Sequence, residues 1–238
     1  MLQVTNAADL KLRRLSIMVY GASGIGKTTL AGMLPGKTLL LDIDHGCMTL
    51  KGNENVDVLD IMGGFAQLAS ICNDLRQNNC YGYRNIVLDT LSSLESMELS
   101  ERGRIGAGKG QPTQADYGRV YSLMKALCLD YIKLPRVILF LAHEKPATIS
   151  ADTLTGDQLT KVVPKIGNKS GDLATEICGL CDIVARCMMR KTNDGKVQRY
   201  LAMGSSPTMD VRDRIWKRTE CTYETLIPQS KKEEPAND

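Results

Sequence analysis

Short apolar runs alternate with helical periodicity, the first run ends in a glycine-rich turn, and a late pair of runs flanks Asn193-Asp194-Gly195. Together these predict an α/β fold: a mostly parallel sheet flanked by helices, with a C-terminal β-hairpin extension. The 238 residues fit one generous domain, expected over 1–226, and the polar stretch 227–238 reads as a solvated tail.

Residues 15–20 (LSIMVY) are an unbroken apolar run ending at glycine, and 28–34 has helical character until Pro35-Gly36 stops it. The order is strand, loop, helix. Residues 38–43 (TLLLDI), 56–61 and 85–89 (NIVLD) read as further strands, 65–75 as a helix after Gly63-Gly64, and another helix follows at Ser92. From Asp116, placed to cap the start, Tyr117, Val120, Tyr121, Met124, Leu127, Cys128 and Tyr131 recur at three and four, which predicts an amphipathic helix ending near Pro135. Residues 137–142 (VILFLA) are the most hydrophobic strand, 172–180 a helix, and 182–190 with 196–203 the hairpin. Two stretches fit no regular element. These are 103–114 (GRIGAGKGQPTQ) and 145–169, which carries Lys145, Lys161, Lys165 and Lys169; long loops in a compact domain are usually functional or disordered.

Thirty basic against 27 acidic residues leave a formal charge of +3, too small to identify a nucleic-acid binder. Aromatics make up only 5%, so a base-stacking sheet is poorly supported and any nucleic acid is expected to be held through its backbone. No apolar run approaches a membrane span, the amino end lacks a secretory apolar region, and the eight cysteines lie mostly in apolar segments. A cytoplasmic protein with reduced thiols is expected.

Gly21-Ala22-Ser23-Gly24-Ile25-Gly26-Lys27-Thr28, followed by Thr29, fits G-x-x-x-x-G-K-[ST] between a strand and a helix. From average composition the four fixed positions coincide by chance in roughly one chain in a hundred of this size. In such a loop backbone N–H groups cradle phosphates, Lys27 reaches the β and γ phosphates, and the Thr28 hydroxyl ligates Mg²⁺. Asp89 closes the apolar run Ile86-Val87-Leu88 and is the expected second holder of the magnesium shell, although a strand-end aspartate is also a common helix cap. Asp42 and Asp44, read as sharing one face of a strand, compete to orient or deprotonate the attacking water, with two solvated turn carboxylates as the alternative. His143 also follows a strand, where it could sense the γ-phosphate or sit in a loop; His45 follows another, mild support for a shared site. Cys178-Gly179-Leu180-Cys181 has no partner pair at zinc spacing and reads as packing.

GASGIGKTT, LLLDIDHG, NIVLDTLSSL and VILFLAHEK, in that order and spacing, resemble the RecA-type ATPase core. The likeness is nearest to the shortened phage nucleotide-binding proteins of the Sak-four group, relatives of archaeal RadB that act in single-strand annealing and recombination. It reaches to about Trp216, with the P-loop its only stringent motif. The resemblance implies a RecA-like fold with ATP and Mg²⁺ as cofactors. It sets Asp44 at a catalytic glutamate's place, one methylene shorter, Asp89 at the magnesium-shell aspartate and His143 at a coupling glutamine. It also implies two loops that bind single-stranded DNA, here with Arg102, Arg104 and Lys109 in the first and Lys145, Lys161, Lys165 and Lys169 in the second. Arg212 and Arg214 fall where filaments of this type place cations that reach a neighbour's nucleotide. A homo-oligomer, ring or filament, and a single-strand-binding protein are the implied protein partners.

The reading is thus an ATP-hydrolysing recombination or annealing protein. A GTPase is disfavoured, because Asp89-Thr90-Leu91-Ser92 lacks the switch glycine and Asn168-Lys169-Ser170-Gly171 lacks the base-reading aspartate. A P-loop small-molecule kinase and a nucleotide-binding regulator without turnover stay open.

Overall fold

The computed structural model describes residues 14–106, 110–150, 158–167, 172–192 and 194–228. In chain order its elements are β1 (Leu15–Gly21), α1 (Lys27–Ala31), β2 (Thr38–Asp42), β3 (Val56–Asp60), α2 (Gly64–Gln77), β4 (Asn85–Asp89), α3 (Leu91–Ile105), α4 (Gln114–Ile132), β5 (Val137–Ser150), β6 (Gln158–Pro164), α5 (Asp172–Leu180), β7 (Ile183–Lys191), β8 (Val197–Ala202), β9 (Arg212–Asp213) and β10 (Glu220–Cys221). The sheet runs β10-β8-β7-β1-β5-β4-β2-β3. Strands β7, β1, β5, β4, β2 and β3 are parallel to one another, whereas β8 and β9 run antiparallel to β7, and β6 to the outer half of β5. This is the expected α/β architecture, a mostly parallel sheet flanked by helices with the hairpin β7–β8 near its end.

The continuous apolar runs are explained by cover on both faces. Along β1, Met18 and Tyr20 join Ile138, Phe140 and Ala142 of β5 in a core beneath α2, α3, α4 and α5. Ile17 and Val19 instead join Leu139 and Leu141 in a second core that takes in Leu30 of α1 and Tyr223, Leu226 and Ile227 near the chain's end. Alternation therefore feeds two cores from one strand. Ile227, placed at the head of the expected tail, is buried here; residues 229–238 lie outside those described.

Several sequence expectations are corrected. Helix α1 is shorter than 28–34. Helix α4 starts two residues before Asp116, which is not its cap. Thr113 caps it by accepting the Asp116 N–H, and the Asp116 carboxylate accepts the Thr113 N–H in return, a reciprocal capping box. The glycine-rich stretch is not loop from 103 onward, because α3 continues to Ile105 and holds Arg102, Gly103 and Arg104 in helix. Gly103 is tolerated there because the chain folds back on it: a Cβ would lie 3.1 Å from the Gln111 carbonyl carbon and the Gly110 oxygen. Within the stretch 145–169, residues 145–150 and 158–164 are strand rather than loop. Strand β5 runs past His143 to Ser150 and pairs with β6 from Glu144 opposite Pro164 to Ser150 opposite Gln158. Its lysines obscured a threonine- and valine-rich strand pattern. Lys109 and Lys169 lie outside the described residues.

Leu139 is fully buried in β5 between β1 and β4, so Leu139→Ala should cost about 2–5 kcal/mol in urea denaturation. Val58 on the edge strand β3 is 42% exposed, and Val58→Ala should stay within about 0.5 kcal/mol.

Candidate nucleotide site

Parallel register brings four chemistry-bearing residues to one edge of the sheet. Gly21 ends β1 opposite His143 of β5, Asp89 ends β4 opposite Leu141, and Asp42 ends β2 opposite Asp89. Ligands of open α/β sheets sit outside the carboxyl ends of such strands. From Gly21 the chain turns through Gly24 (φ 75°) and Gly26 (φ 102°), left-handed conformations that favour glycine, into α1. No side chain caps Gly26, so none competes for the amides of the first turn. A Cβ at Gly24 would meet nothing, as a cradle open to phosphate requires.

Lys27 is buried and donates to the carbonyls of Gly21 (3.1 Å) and Ala22 (2.9 Å). Burial lowers its pKa, and the Asp89 carboxylate opposes that shift. The Thr28 hydroxyl donates to Asp89 Oδ2 at 2.6 Å, so the two expected metal holders are already in contact. Burial pushes the Asp89 carboxyl up to about 6, with Asp44 and Asp42 adding to the rise and Thr28 and Lys27 opposing it. A buried carboxylate and a hydroxyl are hard oxygen donors of the kind Mg²⁺ takes beside phosphate, so the residues present fit that ion.

The turn after β2 gives Asp42 and Asp44 different surroundings. Asp42 is buried and its carboxylate accepts the Gly46 and Cys47 N–H groups, both at 3.2 Å, so it anchors the turn. Strand β2 ends at Asp42, and Asp44 reaches the site from beyond it. Its Oδ1 accepts from the Thr90 hydroxyl (3.2 Å) and its Oδ2 lies 3.6 Å from His143 Nε2. The other ring nitrogen of His143 is 3.5 Å from Lys27 Nζ. Burial and the Lys27 charge lower the His143 pKa and hold the ring neutral near pH 7. A proton on Nε2, facing Asp44, with the Nδ1 lone pair facing Lys27, fits both contacts. The His143 N–H donates to Ser92 Oγ at 2.9 Å, which ties β5 to the first turn of α3. His45 does not share the site: it is half exposed, with Nδ1 3.9 Å from Asp60.

Other residues complete the cradle without a local sequence signal. Cys187 of β7 packs against Gly21, where a Cβ would come within 3.0 Å of its own. Its Sγ contacts the Tyr223 hydroxyl, which lies 3.5 Å from the Ile25 carbonyl. Arg199 of β8 lies over Gly26, its Nε 3.0 Å from where a Cβ would be. Thr90, which orients Asp44, also caps α3 by accepting the Ser93 N–H.

The expected DNA and trans-acting cations are more scattered. Arg104 is paired with Glu101 at 2.7 Å, Lys161 lies 3.7 Å from Asp210, and Lys145 donates to the Ile166 (3.0 Å) and Gly167 (2.7 Å) carbonyls. Lys165 is exposed, and Arg102 is half-buried with its Nε unpartnered. Lys145 and Lys165 line a cavity of about 960 Å³ with Glu95, Tyr117 and Tyr121. Arg212 is not free to reach a neighbour: it sits in β9 opposite Val184, level with Met18, and donates to the Cys178 carbonyl. Arg214 is exposed. Cys178 and Cys181 are buried free thiols whose pKa values burial raises, in keeping with packing.

Residues 13–215 match the profile of a family described as an AAA domain, AAA_24. The chain belongs to this AAA family. Most of it, including the P-loop, β4, β5 and the hairpin β7–β8, falls within the matched region, and it is an ATP-binding P-loop protein. Among solved structures it is similar to the KaiC-like protein PH0186 of Pyrococcus horikoshii OT3, with 10% identity, a TM-score of 0.45, and coverage of 79% of this chain and 77% of that one. No curated protein matches it. Among the described residues, no helix is long and apolar enough to cross a membrane.

The raised Asp89 pKa has a consequence for stability. Folding lifts it from the ordinary carboxylate range to about 6, so the folded chain holds the proton more tightly. Its contribution is present below the ordinary value and is lost as pH rises through about 6. Asp89→Asn should therefore raise the stability of the nucleotide-free protein by about 1–3 kcal/mol at pH 8. Thermal melts between pH 4 and 8, roughly spanning the two pKa values, should show the gain shrinking toward acid.

Proposed function

We propose that the protein hydrolyses ATP and couples the nucleotide's state to single-stranded DNA. The observation that carries this reading is the course of β5: His143 sits between Lys27 and Asp44, and at the next residue the same strand begins to pair with β6. A shift of the imidazole on phosphate binding or loss has a short covalent path to Lys145 and the cavity it lines.

In the reaction, Thr28 and Asp89 would hold Mg²⁺, which when bound supplies charge neutralisation on the phosphate oxygens. Lys27 exchanges the Gly21 and Ala22 carbonyls for the γ-phosphate, which compensates its burial better than neutral acceptors do. Asp44, fixed by Thr90, orients the attacking water and accepts its proton. His143 stays neutral, donates to Asp44 through Nε2, and registers the movement of Lys27 through Nδ1.

The single strand would lie between the hairpin β5–β6 and the start of α4, with Lys165 and Lys161 on its phosphates. Such contact is largely blind to sequence and strongly salt-dependent. A recombination or annealing role, and assembly into a ring or filament, follow from the resemblance to RecA-type proteins.

Phosphate release from Mg·ATP should fall at least about 100-fold in Asp44→Ala, and to the blank in Lys27→Ala. Addition of single-stranded DNA should stimulate the wild type alone. Hydrolysis indifferent to DNA would remove the coupling, a phosphorylated small molecule would indicate a kinase, and no turnover would indicate a regulator. The double variant Lys161→Ala/Lys165→Ala should reduce the slope of log affinity against log salt by about 1.4 for a single-stranded oligonucleotide.

A further inference from the structure

A second concentration of cations lies at the opposite end of the sheet. Arg14 precedes β1, Arg84 precedes β4 and Arg136 precedes β5, so all three sit at the amino ends of the central parallel strands. Seven residues of β1 separate this end from the P-loop, about 20 Å at the usual rise per residue. The three arginines line one cavity of about 440 Å³ together with Tyr83 and Trp216.

Among the described residues the lining contains no carboxylate. Among the described residues none of the three arginines forms an ion pair. Arg136 donates to neutral acceptors, the Pro135 carbonyl (2.8 Å) and the Asn79 carbonyl (2.6 Å) and side chain (2.7 Å), so its charge is positioned without being cancelled. Arg84 lies across Gly36, where a Cβ would meet its Cδ at 2.9 Å, and is exposed beyond it. Among the described residues, Asp57 and Asp213 reach lining residues from outside, and both are paired. Asp57 accepts from the Tyr83 hydroxyl (2.7 Å) and pairs with Lys37 (3.0 Å). Asp213 accepts the Trp216 N–H (2.8 Å) and pairs with Arg218 (2.7 Å), whose guanidinium also stacks over the Trp216 ring at 4.4 Å.

We propose that this cavity binds a nucleotide unit, its phosphate taken by the arginine cluster and its base set against Trp216 and Tyr83. Guanidinium groups match phosphate oxygens with paired N–H donors, and an aromatic wall accepts any base on its π face. The volume suits one such unit rather than a folded partner. A free mononucleotide and one residue of a single strand present the same chemistry. The proposal does not depend on Asp44, His143 or the hairpin, so it stands apart from the hydrolysis and DNA readings above.

The chain has a single tryptophan, so the cavity carries its own reporter. Full-length Lys27→Ala protein, which removes the P-loop's own phosphate contact, is titrated with ADP and separately with a short oligothymidylate while Trp216 fluorescence is followed. Saturable quenching is expected, with its midpoint weakened about tenfold or more by Arg84→Ala and by Arg14→Ala, as the loss of one charge-assisted contact requires. Arg14 is exposed and its truncation leaves the core intact, so circular dichroism of that variant should match its parent. Quenching by ADP assigns the site to free nucleotide, and quenching by the oligonucleotide alone assigns it to a strand. No saturable change with either ligand, or a change that both arginine variants leave intact, overturns the proposal.

Discussion

The site depends on the lateral register of β4, β5 and β1. Three parallel strands, covered on both faces, present Asp89, His143 and Gly21 at one edge because their hydrogen-bonded ladders admit no slip. A one-residue shift would turn every buried side chain to the wrong core, since Met18 and Ile17 belong to different clusters. The packing that stabilises the sheet therefore also sets the spacing between lysine, carboxylates and imidazole.

Within that frame the charges are arranged for a ligand. Lys27 is buried against carbonyls, while Asp89 is buried against a hydroxyl and near two other carboxylates. Each is poorly compensated alone, and a phosphate chain with a cation would supply the missing opposite charges together. The nucleotide-free chain thus holds part of its binding energy as unfavourable desolvation.

Local patterns made much of this legible. The P-loop, the apolar run before Asp89 and the spacing of α4 are contained in short windows, and the structure has them where the windows placed them. What escaped had a distant cause. The continuation of β5 beyond His143 depends on a partner strand that starts at Gln158, and lysines in both strands mask their alternation. Asp42 and Asp44 look equivalent until the turn amides choose Asp42. Arg212 looks like a surface cation until the carbonyl at the end of α5 is found beside it. Arg14, Arg84 and Arg136 are scattered in sequence and meet only because parallel strands begin side by side.

The cradle's outer wall comes from the other end of the chain. Residues 21–28 are backed by Cys187, Arg199 and Tyr223, the last nearly two hundred positions downstream. During synthesis the phosphate loop emerges early but lacks this backing until the last strands have left the ribosome. A chain made at about 5–20 residues per second therefore spends roughly ten seconds or more with an incomplete cradle. Contacts of such long range are formed late because loop closure must precede them. A chain stopped before Tyr223 carries the motif without the wall that backs it.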